Sequence, residues 1–221
     1  MLIRHEIGVS SGGGHVSLPE PAQVGPDFRD YSAAAARLWI DPQSFRRTLH
    51  LPPGCALELT SERDAISAIA PIRRSTARVD MFKAWVGAID EDCLPDSPAA
   101  RYWALPAEPW NGRRFRSADE LSAAERDDIE AAGRAYIFGN SAAVASYREA
   151  IERTTGTFEV AVYVAQSVRI APGAVLRVTG APAVLLFADL EIVDGGQLLI
   201  QTVCRAAIGR LTKTDAATAR R

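Results

Sequence analysis

The sequence predicts an α+β fold in which a small β-solenoid, or alternatively a jelly roll or barrel, carries an inserted helical layer. Two observations carry this reading. The chain matches itself without a gap at an offset of 22 residues over 162–178 and 184–200, and a third copy of the same pattern lies upstream at 49–60. Between the first copy and the other two, apolar residues recur at helical rather than strand spacing.

The repeat has a simple chemistry. Val162 and Val184, Ile170 and Ile192, Gly173 and Gly195, and Leu176 and Leu198 are identical across the offset. Val168 and Leu190, and Val178 and Ile200, keep apolar character, and the turn dipeptides Pro172-Gly173 and Asp194-Gly195 stand in register. Leu49–Thr60 falls on Val168–Thr179 in the same way. Alternation of apolar and polar residues on both sides of a glycine turn reads as two short strands, each with one buried face. Glycine provides the positive φ that such a turn often needs. Gapless spacing with matched strands before and after the turn favours stacked coils over antiparallel hairpins. The unit resembles the coils of β-solenoid proteins in general, over about a third of the chain. Its Pro-Gly turn before a strand also resembles cupins, but those use a cluster of histidines with a glutamate, and of the histidines only His50 lies on a predicted strand.

Taken in chain order, residues 1–43 read as a Gly- and Pro-rich arm followed by a short alanine-rich helix at Tyr31–Ile40. Residues 44–211 read as one interleaved domain, with β units at 44–60 and 157–201 and a helical insertion at 61–156. Thr60 or Ser61 is placed to cap a helix running to Ile69 and stopped by Pro71. Ser75–Ile89 aligns Val79, Phe82, Val86 and Ile89 on one helical stripe. Residues 90–110 hold Pro95, Pro98, Pro106 and Pro109 and read as an irregular loop, closed by the turn signal Asn111-Gly112. Ser117-Ala-Asp-Glu120 has the pattern of a capping box and predicts a helix to about Tyr136, with Leu121, Ala124, Ile129, Ala132 and Tyr136 inward. Ser141–Arg153 predicts another, with Val144, Tyr147 and Ile151 inward, before the strand Phe158–Val164. Thr212–Arg221 is polar and reads as a frayed tail.

Composition narrows the function classes. The net charge of −2 gives no field toward nucleic acid or an anionic membrane, so neither is expected as a partner. Of the basic residues only Lys83 and Lys213 are lysines, which, with abundant alanine, suggests a GC-rich bacterial coding bias. Cys55, Cys93 and Cys204 are scattered and form no CxxC pair, which argues against a disulfide framework or a zinc site and for a reducing cytoplasm. No apolar run reaches the roughly 20 residues of a membrane helix. His5, His15 and His50 are the only histidines, and no metal or cofactor is expected. Walker A, Rossmann and HExxH patterns are absent.

Three sets of residues remain as site candidates. Trp103 and Trp110 lie in or beside the proline-rich segment with Arg113 and Arg114 close by, and aromatics among arginines suit sugar rings, bases or a partner surface; the plainer reading is that they fasten the loop. His50, Arg169 and Glu191 share one outward column of the repeat. There Arg169 and Glu191 can pair, either as a polar groove with Asp189, Glu191 or Asp194 as acid and base, or as a solvated charge ladder. Ser10-Ser-Gly-Gly-Gly-His15 reads as an anion nest or a loose arm. Cys55 and Cys204 read as inert thiols rather than nucleophiles, and Asp90, Glu91 and Asp92 would raise the pKa of Cys93. The sequence therefore favours a non-catalytic structural or binding protein, a homo-oligomer or a protein-binding module self-associating through β edges. The alternative is an enzyme acting on a sugar or small acidic substrate in a groove beside the proline-rich loop.

Overall fold

The computed structural model describes residues 27–41, 45–87, 90 and 105–214. The chain divides into two compact units, one of residues up to 73 together with those from 161 onward, the other of residues 74–160.

The first unit is built on parallel strands. These are β1 (Thr48–Leu51), β2 (Ala56–Thr60), β4 (Phe158–Ile170), β5 (Val175–Thr179), β6 (Ala183–Val193), β7 (Gln197–Ile200) and β8 (Cys204–Thr214), with β3 (Ile72–Thr76) between the second and fourth. One sheet has the order β1-β4-β6-β8, with β3 also pairing β4, and the other has the order β2-β5-β7. Val162 pairs with Val184, Ile170 with Ile192 and Leu176 with Leu198, each across 22 residues. Leu49 pairs with Val168 and Leu57 with Leu176.

The expected β-solenoid is corrected, and so is its jelly-roll or barrel alternative. The strands form two open sheets, of five and three strands, with β1, β4, β6 and β8 parallel in one and β2, β5 and β7 parallel in the other, and neither closes. Parallel pairing of all the matched strands excludes the antiparallel hairpins of a jelly roll. Residues 61–157 intervene between the first strand pair and the second, so the chain does not wind continuously through the units. What stands is an α+β architecture with parallel strands in two sheets.

A buried apolar interior joins the sheets. Leu51, Tyr163, Ile170, Leu185 and Phe187 from the larger sheet meet Leu59, Leu176 and Val178 from the smaller in one buried cluster. Along β4 the residues Val160–Tyr163 are all buried, so this stretch is covered on both faces and reads as a continuous apolar run. At Gln166 and Ala188 the pairing skips a position, and the inward side chains change from 161, 163 and 165 to 168 and 170.

The turns explain the glycines. Gly54, Gly173 and Gly195 all have φ near +70°, a left-handed conformation that costs other residues about 1–2 kcal/mol. Gly54 N–H donates to Pro172 O at 3.1 Å, stacking one turn on the next. Gly196 is needed for a different reason, since a Cβ there would stand 2.8 Å from Val193 O and 2.9 Å from Ile170 O.

Helix α1 (Asp27–Arg37) begins earlier than the alanine run suggests and packs on β8 and β6. Its small buried residues Ala34 and Ala35 allow close approach, with Leu38 buried just beyond its end. The helix ends in a Schellman turn, with Ile40 N–H donating to Ala35 O and Trp39 in the left-handed region at φ 53°.

Residues 61–69 do not form the expected helix. Ser67 Oγ accepts from Thr60 N–H and donates to Ile69 O, while Ala68 N–H donates to Glu58 O. These local serine bonds compete with a helix that would have been only a few turns long. The segment instead runs beside β2 and adds Ile69 to the buried cluster. The expected helix at Ser75–Ile89 is likewise shorter. Residues 72–76 are β3, so Ser75 and Thr76 belong to a strand, and Arg73 on the same strand donates to Ser61 O.

The second unit is helical. It contains α2 (Val79–Val86), α3 (Ala123–Phe138) and α4 (Arg148–Thr155), with 3-10 turns at Ala118–Glu120 and Ser141–Tyr147. Phe82 stacks on Phe158 at 5.1 Å, and Ile129, Ala132, Tyr136, Val144, Tyr147 and Ile151 are buried. The capping box that starts α3 is Ser122 with Glu125, not Ser117 with Glu120. Ala124 is exposed, and Leu121 is buried ahead of the helix rather than on it. Lys83 Nζ bridges Tyr136 O, Gly139 O and the Asp90 carboxylate. Two further expectations concern the C-terminal part. Strand β8 lies beyond the last expected strand, and Thr212, Lys213 and Thr214 belong to it rather than to a frayed tail; residues 215–221 lie outside the described residues.

Candidate functional site

Of the site candidates, Trp110, Arg113 and Arg114 come together at one cleft of about 350 Å³ in the helical unit. Trp110 forms one wall. Its backbone N–H donates to Ser146 Oγ at 3.1 Å, and its ring lies edge-on to Phe115 at 6.1 Å and tilted against Tyr147 at 5.7 Å. Tyr147 is itself fixed, its hydroxyl donating to Glu108 O at 2.8 Å. The indole is therefore held by two rings and its backbone by Ser146, while the residue stays partly exposed.

The arginines of the cleft differ in what they have already bound. Arg113 donates to Glu120 O at 2.6 Å and pairs with Glu125. That guanidinium, aided by Ser122, holds the Glu125 carboxyl down at about 2. Arg148 pairs with Asp80 at 3.1 Å and Glu152 at 3.4 Å. Arg153 donates to Phe115 O at 2.7 Å and lies over the Phe115 ring at 5.6 Å, which fixes its plane but leaves its charge unpaired among the described residues. Arg114 is exposed and makes no hydrogen bond or ion pair among the described residues, and the same holds for Glu149, the one carboxylate lining the cleft.

Sequence reasoning reached Trp110, Arg113 and Arg114 but missed Ser146, Glu149 and Arg153. Their spacing of three and four residues was the available signal, because it puts them on one stripe of a helical turn. That stripe lies opposite the inward Val144, Tyr147 and Ile151 and reads in isolation as ordinary solvent face. Trp103, Cys93 and the 10–15 glycine run lie outside the described residues.

Arg169 and Glu191 lie in the other unit. They are paired in register on β4 and β6, beside His50 on β1, and their side chains meet at 3.4 Å. Next to them Asp189 pairs with Arg210 of β8 at 2.6 Å. The two ion pairs consume most of the charge in this column, and both are well exposed, so each is worth about 1 kcal/mol or less. The cleft of the helical unit is lined from residues 110–153, so Asp189, Glu191 and Asp194 contribute nothing to it.

The Cys204 thiol is poorly suited to act as a nucleophile. Cys204 opens β8, where burial pushes its thiol up to about 12 against a weaker pull from the Leu185 N–H. Tyr163, fully buried inside the sheet interior, is likewise pushed up to about 12 by burial, and its hydroxyl has no hydrogen-bond partner among the described residues. Among the described residues no cluster of three or more His, Cys, Asp or Glu is arranged to hold a metal, and no helix is long and apolar enough to cross a membrane. No family model, no curated protein and no solved structure matches this chain.

Proposed function

We propose that this is a non-catalytic binding protein that self-associates through the open end of its parallel sheets. The supporting observation is a gradient of burial along the stacked strands. Val168 and Leu190 are buried, but their neighbour on β8, Leu211, is 61% exposed. Leu176 and Val178 on β5 are fully buried, while Leu198 and Ile200, their partners on β7, are only half-buried. Leu199 on the same edge strand is 37% exposed.

The two ends of the smaller sheet differ in cover. At the β2 end the segment 61–69 supplies Ala68 and Ile69 to the interior and bonds the Glu58 carbonyl. At the β7 end no strand pairs with the outer edge among the described residues. An uncovered edge with apolar side chains beside it is a template for another chain, and a second copy offers the same edge. Arg210 and Lys213 on β8 temper this, because edge cations disfavour indiscriminate stacking and leave a defined contact as the favourable outcome.

Light scattering across a concentration series tests this reading. The chain is expected to pass from monomer to dimer or higher in the micromolar range, and Leu211→Asp with Leu199→Asp is expected to hold it monomeric with unchanged circular dichroism. A monomer at high concentration would remove the basis for self-association.

A further inference from the structure

We propose that the cleft between Trp110 and Arg153 is a binding site for a small organic monoanion with a ring, the carboxylate meeting Arg114 and Arg153 and the ring resting against Trp110. This stands independently of self-association, since it uses residues 110–153 alone.

The charge balance selects the ligand class. Four guanidinium groups line the cleft, but Glu125 neutralises Arg113, and Asp80 with Glu152 neutralises Arg148. Among the described residues Arg114 and Arg153 remain without a carboxylate partner, against the single unpaired carboxylate of Glu149. The uncompensated lining charge is thus two positive groups against one negative. A single negative charge brings that balance to neutral, whereas the second charge of a dianion would be left uncompensated beside Glu149.

The geometry adds preorganisation. Arg153 is pinned by Phe115 O and by the Phe115 ring, and spends only one of its five N–H donors in doing so. A guanidinium already held in plane loses little freedom on meeting a carboxylate. Trp110 is fixed by Ser146, Phe115 and Tyr147, so its partly exposed indole is a rigid surface for a sugar or aromatic ring. The cleft volume of about 350 Å³ falls at the lower end of the range for small-molecule pockets, so the ligand is about one ring in size.

The test uses the full chain at a concentration where it is a single species, with glucuronate as the probe and glucose and inorganic phosphate as controls. Titration is followed by heteronuclear NMR of the tryptophan indole and arginine Nε–H signals, assigned by Trp110→Phe and Arg153→Lys. Glucuronate is expected to move the Trp110 and Arg153 signals saturably while glucose leaves them in place. Arg114→Gln is expected to weaken binding by about tenfold, the scale of one lost charge-assisted bond. Glu149→Gln is expected to strengthen the binding of phosphate more than that of glucuronate. Equal shifts with glucose and glucuronate, unsaturable shifts spread over other arginines, or an Arg114→Gln variant that binds glucuronate as tightly as the parent would each overturn the proposal. Arg114 and Glu149 are exposed, so both variants are expected to fold, and their amide spectra report this directly.

Discussion

Within residues 117–125 two serines each stand three places ahead of a glutamate, and only Ser122 caps a helix. Both patterns satisfy the same local rule, so the sequence alone cannot choose between them. Arg113 decides, because it bonds Glu120 O and the Glu125 carboxylate together and fixes the backbone ahead of the first turn. Leu121, buried just before the cap, anchors the same start. Replacing Ser122 with alanine is therefore expected to cost about 1 kcal/mol, whereas Ser117→Ala is expected to stay within about 0.5 kcal/mol. Urea unfolding followed by circular dichroism separates the two, and equal losses would contradict the assignment. The same limit governs the cleft. Trp110, Arg113 and Arg114 were legible because they crowd together in sequence. Arg153 was not, because its role comes from a carbonyl and a ring at Phe115 that no local pattern announces.

At the scale of elements, the strand-turn-strand units were the most legible part of the chain. Alternation and glycine position are local quantities, and the offset seen in the sequence is the offset at which β4 pairs with β6 and β5 with β7. Gly196 supports a prediction here. Its absent side chain leaves room for three carbonyl oxygens, those of Val193, Ile170 and Ala171, within 2.8–3.1 Å of where a Cβ would stand. Gly196→Ala is expected to lower stability by about 1–3 kcal/mol, as overpacking against backbone does, with the denaturant slope unchanged. A loss below about 0.5 kcal/mol would mean that the turn opens without cost. The segment 61–69 was misread for the converse reason. Thr60, Ser61 and Ser67 carry helix-capping chemistry, but Thr60 Oγ1 accepts from Glu62 N–H, Ser61 Oγ accepts from Ala181 N–H, and Ser67 Oγ accepts from Thr60 N–H and donates to Ile69 O, all in a non-helical path.

For the whole molecule, parallel pairing and a shared interior were inferred from the repeat, but how the strands are apportioned was not. A register match says which strands neighbour each other and is silent on whether their sheets close. Strand β8 was missed because its apolar positions are interrupted by Arg205, Gly209 and Arg210. The burial gradient gives a prediction at this scale. Leu176→Ala is expected to cost about 2–5 kcal/mol, in the range for a fully enclosed leucine, and Leu198→Ala distinctly less in a dilute sample. Thermal and urea unfolding at two protein concentrations check this. If Leu198→Ala becomes as costly as Leu176→Ala only in the concentrated sample, the second copy is what covers it. Equal costs in the dilute sample would mean that the end is already closed.

The pairing of β1 and β2 with β4 and β5 has a consequence for synthesis. The first two strands are synthesised before residues 61–157, and their partners do not exist until that stretch is complete. At ordinary elongation rates the delay is about 5–20 s. For that interval Leu51 and Leu59 have no partner to enclose them, whereas the helices of residues 74–160 draw on contacts close in sequence. The order of translation therefore leaves the earliest strands as the last to find shelter, and makes the nascent β1–β2 hairpin-length segment the point at which a chaperone or a neighbouring nascent chain has most time to act.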